Sequence, residues 1–411
     1  MDNVEIPEGY KKTALGIIPL DWEMKKLGEI GKFQTSSIDK LVQENEELVS
    51  LINYMNVYNQ EIINHETIKK YPIVSAKKTQ VLSCNLLKGD ILFTPSSETP
   101  EDIGHSVVIF ENLNNAVYSY HVMRFRPTTV INILYSHYFC NNQIVLNQFT
   151  KYATGTTRFT ISVKTFSEIN VLIPPLHEQQ KIAEILSTWD EAITNCKNTL
   201  SELLKCKKWL AYNLLFNKKN NLVQLSKLVE RVKKPFNPVS EKLYRQIGIR
   251  SHAKGIFYKE EVSGLSLGNK SVFHIEPNCF IVNIVFAWEH AIAKTTENEV
   301  GMIASHRFPM FKPFDDKMDL DYLLHFFKSK KGKDLLNLAS PGGAGRNKTL
   351  GQSEFLKLQI PVPDISEQKR IAEILDTADS EILLYQRKLE VLQLQKKGLM
   401  QQLLTGKTRV R

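Results

Sequence analysis

The sequence predicts an α/β protein: two α+β domains carried on two long α-helices that pair as an antiparallel coiled coil, the whole built as a pseudo-two-fold internal repeat. The first observation behind this is that the peptide IAEIL occurs twice, at residues 182–186 and 371–375. Around it Pro174 matches Pro363, Glu178-Gln179 matches Glu367-Gln368 and Asp190 matches Asp379, at an offset of 189 residues (Glu178 to Glu367). Residues 173–193 and 362–382 share 11 identities in 21 positions. A repeat of that length is one structural unit built twice.

The second observation is a hydrophobic register spaced alternately four and three residues apart. It runs through Ile182, Leu186, Trp189, Ile193, Cys196, Leu200, Leu203, Lys207, Leu210 and Leu214. The later copy reads Ile371, Leu375, Ala378, Ile382, Tyr385, Leu389, Leu392, Lys396, Leu399 and Leu403, with the lysine interruption at the same place. A 3.5-residue period is the signature of a coiled coil. Each helix would span roughly 40 residues, or about 60 Å at 1.5 Å per residue. A lone helix of that length would leave its narrow stripe wet, and the simplest partner is the other copy.

The third observation is the texture between the helices. Residues 1–175 form the first domain, with short β-like runs at 90–93, 106–110, 122–125 and 170–173 and a helical stretch near 132–148. Residues 176–218 are the first long helix, closed by a polar stop from Asn217 to Asn221. Residues 219–362 form the second domain, with strands expected at 280–286 and 301–305 and helices at 320–330 and 333–338. Residues 363–411 hold the second helix, for which Gly406 is a candidate C-cap, and a tail. The two domains resemble each other weakly. Phe125-Arg126-Pro127 aligns with Phe311-Lys312-Pro313, and Gly155-Thr156-Thr157-Arg158 with Gly343-Ala344-Gly345-Arg346. Closely repeated helices with divergent domains between them suggest one frame carrying two different readers.

Composition narrows the class. The 411 residues are 42% hydrophobic, enough for two or three cored domains, and no run of about 18 apolar residues suggests a membrane span. The start at Met1 is acidic, without the apolar region of a secretory signal. Cys84, Cys140, Cys196, Cys206 and Cys279 are scattered and form no CxxC, so they read as reduced cytoplasmic thiols. A formal charge of +9 favours a polyanionic partner.

No catalytic constellation survives inspection, and no metal or cofactor ligands are assigned. The run from Gly342 to Thr349 resembles a P-loop, but Asn347 stands where glycine must let the phosphate approach the backbone. Its Arg346, Asn347 and Lys348 beside flexible glycines suit a phosphodiester backbone better. Asp364, Glu367 and Lys369 imitate a nuclease signature, yet all fall in the first turn of a helix, where Asp364 reads as an N-cap. Residues 173–176 lack the pattern of an amino-methyltransferase motif, and the histidines form no HxxxH or HExxH pair. Two related readers on antiparallel helices match the local dyads of duplex DNA, and unlike readers imply a split, asymmetric site.

The chain resembles the specificity subunits of type I restriction–modification systems. The resemblance is carried by the doubled Pro-x-x-x-Glu-Gln-x-x-Ile-Ala-Glu-Ile-Leu helices, by Lys88-Gly89-Asp90-Ile91-Leu92-Phe93 with Ser96-Ser97-Glu98-Thr99, and by Gly155-Thr156-Thr157-Arg158-Phe159. The opening Gly16-Ile17-Ile18-Pro19-Leu20-Asp21-Trp22 is also similar, and residues 245–305, with Gly248-Ile249-Arg250-Ser251-His252, resemble one type of target recognition domain. It implies two target recognition domains that bind double-stranded DNA, each reading half of a bipartite target, with the helices holding the halves apart. It implies no catalysis in this chain. Two methyltransferase subunits would bring S-adenosylmethionine, and restriction motor-nuclease subunits would bring ATP and Mg. The expected DNA contacts are Lys151 and Arg158 in the first domain and Arg346, Asn347 and Lys348 in the second, with Arg250, Ser251, His252 and Lys254 as further candidates. The alternative is a coiled-coil adaptor that touches no DNA.

Overall fold

A computed structural model describes residues 6–217, 220–268, 271–342 and 348–410. The chain divides into two compact units, Met1–Asn195 with Leu389–Arg411, and Cys196–Lys388. The long helices are Leu176–Phe216 and Ile365–Leu403. None of the twenty register positions is fully exposed, which is the 3.5-residue stripe doing what its spacing predicts.

In the first unit a four-stranded antiparallel sheet runs in the order Gly31–Thr35, Met123–Pro127, Ile91–Phe93, Ser106–Val108. Phe93, Phe125, Phe149 and Phe166 fill one side of it, and the ring centroids of Phe149 and Phe166 are 4.7 Å apart. The same core contains Ile182 and Leu186 of the first long helix and Leu403 and Leu404 at the end of the second. Each fully buried phenylalanine contributes about 1.5–3 kcal/mol, so the reader and the helix ends share one hydrophobic core. A separate three-stranded sheet of Ala116–Tyr118, Glu47–Ile52 and Ile73–Ala76 has its own core around Leu51, Val74 and Val117.

The second unit repeats the frame. Its four-stranded sheet runs Val229–Val232, Met310–Pro313, Phe280–Val282, Ile292–Lys294. Phe311 and Phe355, the latter 189 residues beyond Phe166, pack at a tilt with centroids 4.8 Å apart in a core that includes Ile371 and Leu375. The inserted sheet is different here: five strands in the order Pro235–Phe236, Val272–His274, Ile303–Ser305, Leu243–Ile249, Ile256–Ser263. The readers therefore share a sheet and diverge in what is built onto it.

The repeated glutamine ties reader to helix. Gln179 Oε1 accepts from Asn132 N at 2.9 Å and its Nε2 donates to Pro174 O. Gln368 does the same with Asp319 N, at 2.9 Å, and Pro363 O. Asn132 and Asp319 are themselves N-caps, accepting from Tyr135 N and Tyr322 N. Both tyrosine hydroxyls then return to the strand before the long helix, at Leu172 O and Pro361 O.

The lysine interruptions are ion pairs, each within one unit. Lys207 on the first helix meets Asp379 on the second, and Lys396 on the second meets Asp190 on the first at 2.5 Å. These contacts require antiparallel chains. Tyr138 Oη donates to Asp190 at 2.8 Å, and Lys328 stands 3.6 Å from Asp379.

Several boundaries differ from expectation. The stretch near 132–148 is two helices, Ile133–Phe139 and Gln143–Tyr152, because Asn142 caps the second one through Val145 N. The strand expected over 280–286 stops at Val282, where the chain turns into a short 3₁₀ segment. The first long helix ends at Phe216, and Lys218 and Lys219 lie outside the described residues. The second ends at Leu403, and Gly406 (φ +70°) returns its N–H to Leu403 O.

In a double-mutant cycle of Lys207→Ala and Asp379→Ala, followed by denaturant unfolding of the full chain, we expect a coupling of about 1 kcal/mol. Zero coupling would mean that the pair does not hold the helices in register.

Candidate nucleic-acid interface

The sheets place matching loops. In the first unit the chain leaves Ile91–Phe93 into residues 94–105, and Ser96–Ser97 pairs with Phe159–Thr160. Ile161 N donates to Pro95 O at 3.0 Å. In the second unit Leu350 N donates to Ile284 O at 2.9 Å, and both partners are displaced by 189 residues. The residue that follows the glycine-bearing stretch, Ile161 or Leu350, is thus bonded to the loop after the same sheet strand in both units.

Arg158 lies on this joint. Its guanidinium donates to Ser96 Oγ from Nη2 at 3.0 Å and from Nε at 3.3 Å, and the residue remains exposed. Gly155 precedes it at φ +147°, and a Cβ there would stand 2.0 Å from Arg158 O, so the turn needs glycine. Lys151 is exposed on the helix Gln143–Tyr152, with Nζ 5.8 Å from the centre of the Tyr152 ring. Arg346 and Asn347 lie outside the described residues. Lys348 is described, and its Nζ donates to Asn337 Oδ1 at 2.9 Å.

The other candidates sit on the tip between Leu243–Ile249 and Ile256–Ser263, at residues 250–255. His252 and Ala253 have φ +61° and +54°, a left-handed conformation that costs non-glycine residues energy. Three anchors hold it: His252 N to Glu289 O, Ala253 N to His290 O, and Ser251 Oγ to Glu289 Oε2 at 2.8 Å. Ser251 is therefore an anchor, its hydroxyl spent on Glu289. Arg250 lies 5.0 Å from the Phe257 ring centre and donates to Ile256 O, while His252 and Lys254 are exposed at the tip. His290 holds the other side of the joint through Nε2 and Phe327 O, and burial pushes its ring below the usual histidine range.

Sequence reasoning missed the groups around Arg158. Tyr58 Oη donates to Asp102 Oδ2 at 2.7 Å, and His105 Nε2 is 2.9 Å from Asp102 Oδ1. Tyr54 stacks on Tyr58, with centroids 5.7 Å apart. Burial and the positive charges of Arg158 and Lys40 lower the His121 pKa. These residues come from separate segments, so no spacing in the sequence joined them.

Among the described residues, the cluster closest to a metal-ligand set is His325, Asp376 and Asp379. The ammonium groups of Lys207 and Lys328 already face Asp379, which supplies the positive charge a cation would bring. Two clefts also match across the repeat. One of about 280 Å³ is lined by Asn141, Gln143, Gln393 and Lys396 among others. The other, about 580 Å³, has Lys328, Lys330, Leu204 and Lys207 at the corresponding positions.

Comparison with known proteins identifies the family. The family described as type I restriction modification DNA specificity domain matches residues 19–205 and 261–394, well over half of the chain. This chain belongs to that family. It is 24% identical to the putative type I restriction enzyme MjaX specificity subunit of Methanocaldococcus jannaschii, over 98% of this chain and 97% of that one. It is similar in fold to the type I restriction–modification S subunit from M. genitalium, with TM-score 0.55, 12% identity, and 93% and 96% of the two chains covered. A structure described as the basis of complex assembly and conformational transition of the type I R-M system has TM-score 0.60 at 12% identity, covering 95% and 99%.

Arg158→Ala tests the interface by duplex-DNA binding at several salt concentrations. Loss of a phosphate contact is expected to lower the slope of log K on log salt by about 0.9 for all sequences. Loss of a base contact is expected to cost about 1–3 kcal/mol and relax one position. If neither affinity nor slope moves, Arg158 does not touch DNA.

Proposed function

We infer that the chain is the DNA-specificity subunit of a type I restriction–modification system, with readers spanning residues 1–175 and 219–362. The observation that carries this is the pairing of a repeated frame with unlike insertions. The four-stranded sheet, the glutamine tie and the bond of Ile161 or Leu350 to the loop after the sheet strand recur, while one reader adds three strands and the other five. Two unlike readers on antiparallel helices suit an asymmetric, bipartite duplex target, with half-sites about one helical turn of DNA apart.

The chain supplies an address and no chemistry. Two methyltransferase subunits carry S-adenosylmethionine to it, and restriction subunits supply ATP- and Mg-dependent translocation and cleavage, in the cytoplasm. The matched clefts support two docked copies of one partner, since a surface repeated within one chain fits the same partner twice. Leu204, Trp209, Tyr212 and Leu384 are exposed apolar side chains on the long helices that a docked subunit would cover. No described helix is long and apolar enough to cross a membrane. An adaptor function is less favoured by the net charge of +9 and by the Arg158 joint.

Exchange of residues 1–175 for those of a relative is expected to change one half of the methylated motif, read by methylome sequencing, and leave the other. A change in both halves would refute independent readers.

The helices are the proposed ruler. An insertion after Asn217 would fall beyond the helix, which ends at Phe216. Four residues inserted between the exposed Lys197 and Asn198 would instead enter as a stutter and add about 6 Å. At about 3.4 Å per base pair, the gap between half-sites is expected to grow by one or two base pairs. An unaltered gap with full methylation would show that the helices do not set the spacing.

A further inference from the structure

Beside Arg158, the first reader holds a carboxylate with unusual support. Asp102 closes a short 3₁₀ turn, Pro100–Asp102, in the loop that leaves the sheet at Phe93. Tyr58 Oη donates to Oδ2 at 2.7 Å, and His105 Nε2 meets Oδ1 at 2.9 Å. Tyr58 and His105 also touch edge to face, with ring centroids 4.8 Å apart, so both groups holding the carboxylate hold each other. The Asp102 side chain nevertheless stays 43% exposed. A carboxylate accepts about four hydrogen bonds, so acceptor capacity remains beyond the bonds to Tyr58 and His105. Arg158 is bonded to Ser96 of the same loop, residues 94–105.

This arrangement fits poorly with a phosphate contact. A carboxylate repels phosphate, and an interface that only gripped the backbone would gain by losing it. An acceptor fixed in direction by Tyr58 and His105 suits a hydrogen-bond donor on a base edge. In the major groove those donors are the exocyclic amines, cytosine N4 and adenine N6.

We propose that Asp102, oriented by Tyr58 and His105, reads an exocyclic amine at one position of the half-site recognised by the first unit, and so is a specificity-determining residue of this chain. The proposal rests on the DNA-specificity reading given above. Tyr58 and His105 act through Asp102 and are positioning residues. Asp102→Asn keeps an acceptor for Tyr58 but turns an amide N–H₂ toward the groove, which favours a carbonyl-bearing base, guanine or thymine, at the same position.

The test selects bound duplexes from a randomised library with the full chain assembled with its methyltransferase subunits. Asp102→Asn is expected to lower the preference at a single position of one half-site by roughly 5- to 150-fold and to leave the other half-site unchanged. Tyr58→Phe leaves the carboxylate in place and frees its orientation. It is expected to relax that same position without switching it, and it carries the test alone if Asp102→Asn fails to fold by thermal melting. An unchanged motif in the folded variants overturns the proposal, as does a uniform loss of affinity across all sequences. A wild-type complex that selects no split motif would instead sink the DNA-specificity reading itself.

Discussion

The structure depends on two lysine–aspartate pairs set into an otherwise apolar stripe. Lys207 with Asp379 and Lys396 with Asp190 are related by the internal repeat. A lysine in a coiled-coil seam lowers stability unless its charge is met, and this cost is what selects among arrangements. An in-register parallel pairing would set Lys207 against Lys396 and Asp190 against Asp379, like against like. Antiparallel pairing sets each lysine against an aspartate. The apolar positions alone would tolerate either direction, so the polar interruption carries the orientation.

From that orientation the rest of each unit follows. The start of one helix and the end of the other lie in one core, as Ile182 and Leu186 do with Leu403 and Leu404. The reader docks there through a glutamine that bonds both to the helix entry and to the cap of the reader's own helix. The preceding glutamates have separated in role. Glu178 is wholly buried, accepting from Trp22 Nε1 at 2.8 Å and from Arg409 Nε at 2.8 Å and Nη2 at 2.9 Å, so the tail returns to the first unit. Glu367 pairs with Arg370 on its own helix, at 2.7 Å. Arg409 also donates from Nη2 to Asp21 Oδ2 at 2.7 Å, just before Trp22.

The readers separate scaffold from address. Phe166 and Phe355 keep their place beside the four-stranded sheets, and Ile161 and Leu350 keep their bonds to the following loop. The inserted sheets share no strand order. A frame packed around buried aromatics tolerates little change, because each ring is fitted by its neighbours. Insertions with their own small cores, such as that around Leu51 and Val117, can change without disturbing it.

The sequence by itself determined the repeat, the long helices and the family, because each is written in local spacing: a 3.5-residue period and a duplicated peptide. Antiparallel pairing was expected from the dyads of duplex DNA, and the Lys207–Asp379 and Lys396–Asp190 pairs agree with it. The sequence also marked Asp364 as a cap, and Glu367 N donates to Asp364 Oδ1 at 2.9 Å. Helix ends were displaced by a few residues, since Asn142 and Gly406 act through capping bonds that periodicity does not register. Only the tertiary structure decided what the candidates bond to within the chain. Ser251 donates to Glu289 and Lys348 to Asn337, partners 38 and 11 residues away. It alone brought Tyr58 and His105 to Asp102, and paired Phe159–Thr160 with Ser96–Ser97 so that Arg158 bonds the same loop. Spacing along the chain reports neighbours on one helix or strand, and a site made of loops is defined by distances that no local period encodes.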